Sequence, residues 1–222
     1  MTSPLLGDII TTTTERIYIM NKIDKVKKYA NEEVKLWFDE APTGQGTALK
    51  NYTSGDGDNV GFQGITKKII QYAINVYGIQ NRTRLDGEYF IDETGQYDNQ
   101  RMDNHIWIDN KVVIVEENRS WIDKPFYTLK RAVVQSFMEL PHTKKHLDKN
   151  VVFIFSSLAR DVKDITKSTL DKVCGYGDVI KEFNFSGRPR RPNKSNYFSH
   201  GYKQEELDNY VEIICGVFSE YE

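Results

Sequence analysis

Four β-branched residues, Val112-Val113-Ile114-Val115, run straight into Glu116-Glu117-Asn118-Arg119. A run that is apolar at every position, not at every second one, predicts a strand buried on both faces. Such a strand needs a layer above it and a layer below it. Two acids and an amide at its end conflict with plain core building, and conflicts of that kind are where function is usually found. Just upstream, His105 to Ile108 reads as a first short strand and Asp109-Asn110-Lys111 as a turn. Lys111 to Asn118 is then the second arm of a β-hairpin. Period two puts Glu116 and Asn118 on one face, and Glu117 and Arg119 on the other. Asp103 enters the first arm and falls roughly opposite residue 117.

The rest of the chain supplies the layers. Residues 1–21 give no clear period, and Thr11 to Thr14 suggests an extended arm. From Ile23 on, Val26, Ala30, Val34, Trp37 and Phe38 repeat at helical spacing, up to Pro42 and Gly44. Gly44 to Gly64 reads as a long glycine-rich loop without the Gly-Lys-Ser/Thr of a phosphate-binding loop. Ile65 to Tyr77 predicts a second helix, stopped by Gly78. Arg84 to Asp92 reads as a strand, Glu93-Thr94-Gly95 as a turn, and Tyr97 to Arg101 as irregular.

Beyond the hairpin, Asp123 and Pro125 open a helix whose buried stripe is Phe126, Leu129, Val133, Phe137 and Leu140. His142 to Lys149 reads as a solvated basic connector. Val151 to Phe155 is a short buried strand, Val162 to Val173 a helix, and Val179 to Phe185 a strand. Leu207, Tyr210, Ile214, Val217 and Phe218 form the stripe of a C-terminal helix. A helix between the second hairpin strand and Val151 implies a parallel crossover. The fold class is therefore α/β, a mixed central sheet flanked by helices. One domain over 1–222 is expected, with a core at about 65–185, and with 1–64 and 186–222 as additions.

No Cys or His spacing matches a zinc site, and Cys174 and Cys215 fall in separate predicted helices. No apolar run reaches the ~20 residues needed to span a bilayer. The N-terminus has no signal layout, so the expectation is a cytoplasmic protein without a membrane partner. The net charge of -2 excludes a global basic footprint, so anion binding must come from local patches.

An acid at the start of one strand, an acid-any-Lys triplet near the end of the next, then a helix and a further buried strand resemble the PD-(D/E)XK nucleases. Within that superfamily the chain looks most like the type II restriction endonucleases. The resemblance covers about Arg84 to Ser157. Asp103 and Glu116-Glu117-Asn118 stand at the motif positions, with Met102 where the family often has Pro and Asn118 where it usually has Lys. Some restriction enzymes resemble this chain in replacing that Lys. Glu117 with Arg119 is the alternative register.

The resemblance implies a restriction-endonuclease-like core and Mg²⁺-dependent hydrolysis of phosphodiester bonds in double-stranded DNA by a homodimer. It makes Asp103 and Glu116 the metal ligands, with Glu117 contributing its carbonyl and Asn118 orienting a water. Arg188, Arg190, Arg191 and Lys194, in a loop free of acids, are the expected DNA contacts, joined by Lys130 and Arg131. The alternatives are a structure-specific repair nuclease or resolvase, and a non-catalytic nucleic-acid-binding protein with a decayed site.

Overall fold

A computed structural model describes residues 6–41, 61–87, 89–91, 97–101, 103–119, 144–158, 180–185 and 201–222. The helices expected over Asp123–Leu140 and Val162–Val173, the Glu93-Thr94-Gly95 turn and nearly all of the loops expected over Gly44–Gly64 and, around the basic cluster, Ser186–Tyr202 lie outside these residues. So do Cys174 and all six expected DNA contacts.

A five-stranded sheet forms the centre. Its strands are β1 (Thr83–Asp86), β4 (Asn104–Ile108), β5 (Lys111–Arg119), β6 (Leu147–Ser157) and β7 (Ile180–Asn184), side by side in that order. β1, β4 and β5 are antiparallel; β5, β6 and β7 are parallel. The sheet is thus mixed, and the parallel step from β5 to β6 is as expected. A separate two-stranded ribbon pairs β2 (Tyr89–Ile91) with β3 (Tyr97–Arg101).

Helices α1 (Leu6–Asp39), α2 (Gly61–Tyr77) and α3 (Gln204–Ser219) pack against one another. Their apolar stripes meet one face of the sheet in a single cluster. Val26, Val34, Ile69, Ile74, Ile214 and Phe218 lie in it with Ile106, Ile114, Ile154 and Phe183. Trp107, Val115, Phe153 and Phe155 fall outside that cluster and are buried all the same. The central strands are therefore covered on both faces, as the unbroken apolar run of β5 demands. None of the described helices is long and apolar enough to cross a membrane.

Some local expectations change. Thr11 to Thr14 is helical, inside α1. The small propensity cost of threonine cannot break a helix already nucleated downstream. α2 begins at Gly61 rather than Ile65, and Phe62 is buried with its stripe. In place of one strand over Arg84 to Asp92 there are two, Thr83–Asp86 and Tyr89–Ile91, in two sheets. The chain leaves β4 after Asp86, where the carbonyl of Gly87 meets His105 Nδ1 at 2.9 Å. Tyr97 to Arg101 is a strand, because pairing with β2 satisfies its backbone whatever its side-chain pattern. The connector before Val151 is not solvated throughout. Val112 N–H donates to the His146 carbonyl at 2.8 Å, Leu147 pairs with Val112, and the His146 ring is buried 5.7 Å from Trp107.

The hairpin turn has two left-handed residues, Asp109 (φ 48°) and Asn110 (φ 65°). That is the two-residue turn whose twist matches the flanking strands. Arg82 ties it down, donating through Nε to Asp109 Oδ1 at 3.0 Å and through Nη1 to the Tyr221 carbonyl at 2.6 Å. Asn110→Ala is expected to cost about 1–2 kcal/mol in urea denaturation, because alanine resists the left-handed region. Asn110→Gly is expected to cost nothing.

The hairpin also carries one extra residue. Ile108 pairs with Lys111 and Asn104 with Glu116, which is four steps back along β4 and five forward along β5. The register shifts between Ile106 and Trp107, and Val113 is the residue left over. This bulge lets Val113 and Ile114 both join the helix-side cluster. It also sets Asn104, rather than Asp103, directly opposite Glu116.

Candidate active site at the end of the hairpin

β5 carries Glu116 toward the helices at a point where its neighbours turn polar. Asn104 faces it from β4. On β6 the apolar Ile154 pairs with Glu116 itself, and the polar Ser156 pairs with Asn118.

The Glu116 side chain is 0 % exposed. Asn104 Nδ2 donates to its Oε2 at 2.7 Å, and Tyr210 Oη donates to its Oε1 at 2.8 Å. Ser156 Oγ lies 3.3 Å from Oε1. Tyr210 comes from α3, where Phe183 and Phe185 meet its ring edge-on and fix it. Burial pushes the Glu116 carboxyl above the ordinary glutamate range. The nearby Asp103 charge pushes the same way, against the hydrogen bonds from Tyr210 and Asn104. Burial likewise raises the Tyr210 phenol well above its usual range.

Asn118, 8 % exposed, is held at both ends of its amide. Its Nδ2 donates to Thr66 Oγ1 at 3.1 Å, and its Oδ1 accepts from Ser156 Oγ. Its backbone N–H donates to Asp103 Oδ2. Gln63 Nε2 donates to the Asp103 carbonyl at 2.7 Å. The first turns of α2, through Gln63 and Thr66, therefore fix both the acid before β4 and the amide at the end of β5. Of the expected site residues, Asp103, Glu116 and Asn118 come together. Glu117, 3 % exposed, lies on the opposite face beside Phe155.

Among the described residues no group of three or more His, Cys, Asp or Glu is placed to hold a metal. Magnesium does not require one, since one or two carboxylates, waters and a phosphate suffice. The donor set is all oxygen. Asn104, Tyr210 and Asn118 all hydrogen-bond the Glu116 carboxylate, and Ser156 Oγ lies 3.3 Å away, so a cation there would share the carboxylate with these groups. The Asn104 Oδ1 is buried without a hydrogen-bond partner. These residues fit a hard divalent cation.

Asn104, Ser156, Thr66, Gln63 and Tyr210 did not stand out in the sequence. Tyr210 carried a usable signal, because a phenol on a buried stripe needs a partner for its hydroxyl. Ser156 did too, as a polar residue directly after the apolar run Val151 to Phe155.

Compared with models of protein families, with curated proteins and with solved structures, the chain matches none of them.

Proposed function

We propose that this protein is a Mg²⁺-dependent endonuclease acting on double-stranded DNA, a type II restriction enzyme with a restriction-endonuclease-like core. One observation carries the reading. Asp103, just before β4, accepts from the backbone of β5 at Asn118, and its charge there raises the pKa of Glu116. Two carboxylates held that way call for a proton or a cation. The order of acid, acid triplet and further buried parallel strand supports it as well.

In this reading Asp103 and Glu116 hold the cation. Bound there, it would supply Lewis acidity toward the scissile phosphate and lower the pKa of a water toward neutrality. The protein's own groups set the geometry. Asn118 N–H orients the Asp103 carboxylate, and Tyr210 and Asn104 orient that of Glu116. Asn118, the residue that would orient a water, gives an Nδ2 hydrogen to Thr66 and also bonds the Glu116 carboxylate. Arg188, Arg190, Arg191, Lys194, Lys130 and Arg131 serve as DNA contacts, and a homodimer reads a palindromic site.

The test is digestion of a long viral duplex with purified protein and Mg²⁺. Discrete bands are expected from the wild type and none from Asp103→Ala, with the circular dichroism unchanged. Undiminished cutting by Asp103→Ala would sink the assignment. The complete enclosure of Glu116 and the amide at 118 favour a second reading, a DNA-binding protein with a decayed site. Binding without cleavage under any divalent ion would establish that one instead.

A further inference from the structure

We propose that Asn104 is a third oxygen ligand of the divalent cation, through its Oδ1. The inference rests on the nuclease reading for the presence of the cation, and on separate observations for the role of Asn104.

Asn104 stands opposite Glu116 because of the extra residue at Val113. Opposed residues of antiparallel strands project to the same side. Asn104 is 0 % exposed, and its Nδ2 donates to Glu116 Oε2 at 2.7 Å. That bond fixes the amide plane, and with it the direction of its oxygen. The oxygen is buried and has no hydrogen-bond partner. A buried acceptor left without a donor calls for an explanation, and an ion is one of the few available. A cation bound by Oδ1, Glu116 and Asp103 answers this and separates the two carboxylates in the same step. Asparagine carbonyls are ordinary ligands of hard cations. A lone buried water is the competing occupant.

Mn²⁺ binding to the full-length protein, followed by the loss of the free-ion signal in electron paramagnetic resonance spectra, distinguishes these. Mn²⁺ takes the same oxygen ligands as Mg²⁺. Asn104→Ala is expected to weaken binding about tenfold, a typical loss near a metal. Asn104→Asp is expected to bind at least as tightly as the wild type, because it keeps the oxygen and adds charge. Asp has a similar size, so it carries the test if Asn104→Ala fails to fold. A residue needed only to donate to Glu116 gives the reverse order, with Asp the weaker, and that order overturns the proposal. Equal binding by wild type and Asn104→Ala overturns it too. If Asp103→Ala then still abolishes binding, the nuclease reading stands without Asn104. No binding by the wild type removes both.

Discussion

Glu116→Gln is expected to abolish Mg²⁺-dependent cleavage while leaving the protein at least as stable as the wild type at pH 8. Glu116→Ala should abolish cleavage and also destabilise the fold by about 2–4 kcal/mol. The activity loss should exceed about a hundredfold, since even groups one step removed from a metal cost 10–100-fold. The split in stability follows from the enclosure of Glu116. Gln can still accept from Asn104 and donate to the Tyr210 and Ser156 hydroxyls, which accept as well as donate. Ala takes the acceptor away from the buried Asn104 amide and Tyr210 hydroxyl, and leaves a cavity beside them.

The sign at pH 8 comes from burial. The folded pKa of Glu116 is raised above its unfolded value. Its contribution to stability is then fully present at low pH and lost as the pH rises through the folded pKa. Gln never ionises and escapes that loss. Urea denaturation at pH 8, run beside a cleavage assay, checks both halves. A Glu116→Gln protein as unstable as Glu116→Ala would mean that the carboxylate charge itself holds the cluster together.

The hairpin was legible because its signals are local. An Asp-Asn pair suits a two-residue turn, and the apolar run fixes the strand. The bulge at Val113 was not, since no residue there breaks the apolar pattern. Without it Asp103 would fall opposite Glu116; with it Asn104 does, and Asp103 stays level with residue 117, as expected. The alternation that separated Glu116 and Asn118 from Glu117 survived, because it lies beyond the bulge. What surrounds Glu116 was hidden for another reason. Tyr210 is 94 residues away in sequence, and Thr66 lies 52 residues from Asn118. Only the packing of α2 and α3 on the sheet brings them there.

Lowering the pH from about 6.5 to about 4 should remove about 3 kcal/mol of stability through His105 alone. The imidazole is fully buried on β4, and burial pushes its pKa down to about 4. The nearby Arg84 charge acts in the same direction, and the bond to Gly87 opposes both. A carbonyl only accepts, so the neutral ring carries its proton on Nδ1. Between the two pKa values the unfolded chain binds the proton and the folded chain does not. Stability therefore rises with pH across that window and falls as acid is added. His105→Asn keeps a donor near the Nδ1 position and removes the titration. Urea denaturation of both proteins at pH 6.5, 5.5 and 4.5 should show curves that converge as the pH falls. Groups shared by the two proteins, Glu116 included, cancel in the difference. Curves that stay parallel would mean that His105 takes up its proton without unfolding the strand that carries Asn104.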